Sequence, residues 1–273
     1  MSDAGGDGSV ELSRAFLKAL GVPNDKIARS NETAGANLEI KVVEHLRELR
    51  PDLVIERGRR VLDFAQYAHL AVLPDLEKRF RDLVEDFGPD VLKLTELIKG
   101  VDLGSAQTGI HKQLNKVNAG MDRMRSDVAE LVLQTPSESL LKLDITVAIP
   151  HEGEQDELAV ALSSKWTFRT DRAQDPVSQG NKLVAQRRGR MPHFGVITVE
   201  PRPTMLRILA DGSGAIDYIY HLDVPALREA IADFDSGRPE GRKQGTAFNK
   251  LIAQKRLQDY DHLVAEVMRV PST

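Results

Sequence analysis

The chain has 273 residues, 41% of them apolar, and a formal net charge of -4. It is long enough to bury one large core, or a core with an appended lobe. The absence of cysteine excludes a disulfide framework, a thiolate nucleophile and a zinc-thiolate centre, and the acidic balance argues against a protein that coats nucleic acid indiscriminately through many phosphate contacts.

In chain order, "MSDAGGDGSV" has no basic region followed by an apolar run, and no apolar segment approaches membrane-spanning length, so a soluble, cytoplasmic protein is expected. From about Glu11 to Leu133 the apolar spacing is helical, as in "LEIKVVEHLREL", "VLDFAQYAHLAVL" and "LEKRFRDLVEDF". The polar stretch from "IKGVDLG" to "VAELVL" reads as an inserted helical hairpin, placed at about residues 89–135 of a single domain spanning 1–273. From Leu140 the texture changes to short β-branched or aromatic runs: "LLKLDITVAIP", "LAVALSSKWTF", "HFGVITVEP", "LRILA" and "AIDYIYHL". "VPALREAIADF" and "NKLIAQKRLQDYDHLVAEVMRV" return to helix. The sum is an α/β protein with a small mixed sheet flanked by helices and a helical N-terminal half.

The first two strands carry the chemistry. "LLKLDITVAIP" and "LAVALSSKWTF" flank the polar "HEGEQDE" and read as an antiparallel hairpin that sets Asp144 close to opposite Lys165. Ser163 and Lys165, two apart, share a face. A carboxylate and an ammonium at one end of otherwise apolar strands suit metal-assisted phosphodiester hydrolysis, with the carboxylate holding Mg2+ and the lysine serving the attacking water and the phosphate charge. A structural Asp–Lys salt bridge is the alternative. The following "RTDR" supplies Arg169, Asp171 and Arg172. Arginine pairs with guanine O6 and N7, and aspartate accepts from the cytosine amino group, so this triplet fits two adjacent G·C pairs; a solvated charged turn is the plainer reading. Seven basic residues (Lys165, Arg169, Arg172, Lys182, Arg187, Arg188, Arg190) stand against two acidic ones (Asp171, Asp175) between positions 165 and 190.

"SSKWTFRTDRAQ", followed by "GNKLVAQRRGRMPHFGVITVEPRP" and "GSGAIDYIYH", resembles the NgoMIV family of type II restriction endonucleases, which have the PD-(D/E)XK nuclease fold. The likeness is near-continuous from about Ala161 to His221 and patchy elsewhere, at "QYAHL", "TAGANLE" and "DGS". It implies that Asp144 binds metal, that Ser163 and Lys165 form the family's S-x-K, and that Glu39 is the helical glutamate that joins the metal site. It also implies that Arg169, Asp171 and Arg172 read CCGG and that Asp7 contacts the outer base pair, with GCCGGC as the full site. The implied enzyme is a Mg2+-dependent homodimer or homotetramer that cuts double-stranded DNA to leave 5' phosphates, beside a cognate DNA methyltransferase. Two departures stand out: Leu143 replaces the family's proline before the aspartate, and Gln179 replaces its second glutamate. The second raises the alternative of a catalytically silent CCGG-binding protein. An ordinary metabolic α/β enzyme with a surface arginine cluster is a third reading. His69 and His193 read as hydrogen-bonded core residues, Trp166 as core packing opposite Lys165, and "DGSGAID" as a hairpin turn.

Overall fold

Six strands follow one another across a single sheet in the order of the chain: β1 (Val54–Arg57), β2 (Ile145–Ile149), β3 (Glu157–Lys165), β4 (His193–Thr198), β5 (Tyr218–His221) and β6 (Leu257–Asp259). In this computed structural model, residues 7–23, 34–99, 101, 104–134, 141–168, 173–212 and 214–272 are described. The first three strands pair antiparallel and β3 to β6 pair parallel, so the sheet is mixed, as expected from the sequence.

Helices cross over between the successive parallel strands from β3 to β6. α1 is Asp7–Ala19, α2 Ala34–Leu49, α3 Val72–Lys99, α4 Gln107–Gln134, α5 Gln174–Gln186, α6 Pro203–Gly212, α7 Val224–Asp235, α8 Gly245–Ala253 and α9 Tyr260–Met268. Ile145, Val147 and Ile149 of β2 and Val160 and Leu162 of β3 form one buried cluster with Leu38, Val42 and Leu46 of α2 and Leu263 and Val267 of α9. The two-residue period of a strand leaves Ser163 and Lys165 on the opposite face of β3. Trp166 packs against the α2/α9 cluster, the core role expected for it.

Two compact units are present, Met1–Tyr67 with Leu140–Thr273, and Ala68–Ser139. The first holds the sheet. The second contains α3 and α4, so the helical stretch is wider than 89–135, and Gly104 lies in the turn between the two helices.

Five local readings are revised. "LRILA" is helical, within α6: Pro203 sits in its first turn and Leu206 and Leu209, three apart, are both fully buried on one face. "RLQD" inside the last helical stretch forms β6, after a turn in which Lys255 takes φ +55°. "VIER" adds β1 to the helical half, and "VLDFAQYAHLA" folds as two 3-10 segments instead of an α-helix. "DGSGAID" links α6 to β5, and the parallel pairing of β4 with β5 rules out a hairpin there.

Candidate active site

Asp144 stands immediately before β2, at the end of the sheet where β3 terminates in Lys165. Its Oδ2 accepts three hydrogen bonds, from Ser163 Oγ at 3.2 Å, the backbone N–H of Ser164 at 2.8 Å and Lys165 Nζ at 3.2 Å. The side chains of Asp144 and Lys165 are 23% and 25% exposed, so the pair is sheltered yet reachable. Ser163 is fully buried. Pairing of Ile145 with Leu162 sets Asp144 across from Ser163, two residues from the expected register. An even offset keeps every side chain on its face, and the long lysine side chain reaches back to the carboxylate.

A short segment braces this aspartate. The N–H of Gly58 donates to the Asp144 carbonyl at 3.1 Å, and Leu143 N–H donates to the Arg59 carbonyl at 2.9 Å. Gly58 has φ +66°, and a Cβ there would lie 2.8 Å from Lys142 Cε.

Glu39 reaches the same place from α2. A cleft of about 440 Å³ is lined by Glu39, Arg57, Gly58, Lys142, Leu143 and Asp144. Arg57, the last residue of β1, donates to Glu39 Oε2 from Nη2 at 2.8 Å and from Nε at 3.1 Å. Two carboxylates facing one cleft are hard, acceptor-only ligands of the kind Mg2+ takes, together with waters and phosphate oxygens. Among the described residues, no group of three or more His, Cys, Asp or Glu side chains is placed to hold a metal ion. Lys142 lies in the quoted strand run "LLKLDITVAIP", Arg57 between the quoted helical runs, and neither carried a signal of its own.

Arg169, Asp171 and Arg172 lie outside the described residues, and so does the side chain of Asp7, whose backbone begins α1. The residues on either side of 169–172, Phe168 and Ala173, are both fully buried. Phe168 is held at both backbone groups: its N–H donates to Glu200 Oε2 at 2.8 Å, and its carbonyl accepts from Arg202 Nη2 at 2.6 Å. Glu200 and Arg202 are themselves buried and paired, with Arg202 Nη2 donating to Glu200 Oε2 at 2.8 Å. Sequence reasoning missed this clamp, which lies in the quoted "VEPRP". Gln179 lies on α5 and its Oε1 is buried with no hydrogen-bond partner among the described residues. His193 meets the hydrogen-bonded reading: Nε2 is 2.6 Å from the Tyr220 hydroxyl and Nδ1 is 3.1 Å from Asp217. Burial would raise the Asp217 carboxyl, but the hydrogen bonds from His193 and from Phe194 N–H outweigh it and hold the group below its ordinary range.

Residues 147–267 match the family described as NgoMIV restriction enzyme. The chain is also 42% identical over 79 residues to the type II restriction enzyme NgoMIV of Neisseria gonorrhoeae. That alignment takes in 29% of this chain and 28% of the relative, so the matched stretch spans little more than a quarter of that protein's length. The matched region runs from β2 through β3, α5 and β4 to α9, and therefore includes Ser163, Lys165 and the 169–172 segment. The likeness to the NgoMIV restriction enzyme family thus extends over residues 147–267, less than half of the chain.

Proposed function

We propose that the protein is a type II restriction endonuclease that hydrolyses both strands of duplex DNA at a palindromic site with a CCGG core, GCCGGC in full, using Mg2+ and leaving 5' phosphates. The observation that carries this reading is the Asp144 carboxylate, gripped by Ser163, Ser164 and Lys165 and facing one cleft with Glu39, in a chain whose following segment matches a restriction enzyme family.

In this reading Asp144 and Glu39 hold the cation, which when bound supplies Lewis-acid polarisation of the phosphate and of a water. Lys165 orients that water and offsets charge gathering on the phosphate. Ser163 and the Ser164 N–H aim the Asp144 carboxylate. Arg169, Asp171 and Arg172 contact the guanines and cytosines of the core, and Asp7 the outer pair. Three residues separate Lys165 from Arg169, so one strand end bears both the reacting group and the reader segment, and correct base contacts place the phosphate. Two equivalent half-sites call for at least a homodimer, with a homotetramer engaging two sites as the larger assembly. A cognate methyltransferase protects the host, and the pair works in the cytoplasm. Among the described residues no helix is long and apolar enough to cross a membrane.

The test is incubation of the purified protein and Mg2+ with DNA holding every CCGG-centred hexamer, followed by sequencing of new ends. Discrete ends within CCGG, absent with Asp144→Asn, are expected. Specific binding with intact DNA would instead identify a silent binder, with Gln179 as the lesion.

A further inference from the structure

The active-site cleft holds an arginine to which neither the resemblance nor the matched region gives a role. Arg57 lies upstream of residues 147–267, at the end of β1. Each carboxylate of the cleft is capped by its own cation, Asp144 by Lys165 at 3.2 Å and Glu39 by Arg57 at 2.8 Å. Arg57 directs two of its nitrogens at the same oxygen, Glu39 Oε2. With Lys142 on the cleft wall, three cations (Arg57, Lys142, Lys165) face two carboxylates (Glu39, Asp144), a balance that favours an anion before any metal is counted.

A cation taken up by Glu39 must compete with the guanidinium for that oxygen. Two positive groups on one carboxylate oxygen repel each other, so uptake of a divalent ion loosens the Arg57–Glu39 pair. The freed fork is planar, permanently charged and matched to phosphate oxygens. Its side chain is 36% exposed at the cleft, so it can swing without unpacking the core.

Resting on the nuclease reading, we infer that Arg57 is an exchangeable phosphate-binding residue. It holds Glu39 in the metal-free protein and passes to a DNA backbone phosphate beside the scissile bond when Glu39 takes Mg2+. Arg57 thereby couples occupation of the cation site to seating of the phosphate.

Two measurements on the full chain test this. In calorimetric titration with Mg2+ and no DNA, Arg57→Gln is expected to bind the ion more tightly than the parent, by up to about fivefold, the upper range for loss of an exposed competing ion pair. In binding to a CCGG duplex with Ca2+ in place of Mg2+, the same variant is expected to lower the slope of log affinity against log salt by about 0.9, the loss of one phosphate contact. Arg57→Lys should keep most of that slope. Unchanged or weaker Mg2+ affinity in Arg57→Gln, or an unchanged salt slope, overturns the inference and leaves the ion pair a brace for Glu39. If the parent protein neither binds nor cuts CCGG duplex, the nuclease reading falls and takes this one with it. If the parent cuts while Arg57→Gln shows neither change, only this inference falls.

Discussion

A carboxylate oxygen that accepts three hydrogen bonds is aimed, and at the scale of single residues aim is most of what this site supplies. Lys165→Met removes the ammonium but keeps most of the side-chain bulk. Cleavage of CCGG plasmid is expected to fall about 10²- to 10⁴-fold, the range for loss of a positioned proton-handling group, while duplex affinity measured in Ca2+ stays within a few-fold. Gly58 offers a separate check, because its φ of +66° is costly for any side chain. Gly58→Ala should destabilise the protein by about 1–2 kcal/mol, read as a lower urea midpoint at unchanged slope, with the flexible end of Lys142 moving aside. Ser163, Lys165 and Asp144 were legible as a group because strand alternation is a local property of the chain. Glu39 was legible only through resemblance, since on an amphipathic helix it looks like any solvated glutamate. Arg57 was not legible at all, as it meets Asp144 only when β1 pairs with β2, and Lys142, two residues before Asp144, carried no signal of its own.

Among the elements, β3 and β4 are tied past their ends. The Trp166 carbonyl accepts from Val199 N–H and Thr198 Oγ, both at 3.3 Å, and Phe168 is gripped by Glu200 and Arg202. These bonds fix the chain that leaves β3 just before residue 169. Glu200→Ala would leave a buried guanidinium without its carboxylate, at about 3–5 kcal/mol, measurable by denaturant titration. The sheet itself was mostly readable, because apolar runs such as "DITVAI" and "LAVALSS" end at turn residues. "LRILA" was misread because a short apolar run has no period long enough to separate helix from strand. β6 escaped because three residues cannot show alternation, and its pairing to β5 is decided by packing.

For the molecule as a whole, stability should depend on pH through His221. This ring is fully buried; burial, against smaller opposing effects from the charges of Asp223 and Asp259, lowers it from its ordinary 6.5 to about 4. Nδ1 accepts from Asp223 N–H at 3.2 Å, which places the proton of the neutral ring on Nε2. Between about pH 6.5 and 4 the unfolded chain takes up a proton that the folded one refuses. Stability is therefore full above that window and falls with falling pH across it, by about 3 kcal/mol in all. Urea titrations from pH 7.5 to 4.5 should show the loss, and His221→Gln should flatten it.

Read alone, the sequence determined the charge balance, the freedom from disulfides, the mixed α/β character and the shared face of Ser163 and Lys165, all of which follow from composition or from periods of two to four residues. Only the tertiary structure decided the register of Asp144, the meeting of Glu39 with it across one cleft, the presence of Arg57 beside both, and the clamp on Phe168. These depend on which distant elements pack together, and burial of the α2, β2, β3 and α9 cluster selects that packing through contacts more than 100 residues apart in the chain, a preference no local window of sequence contains.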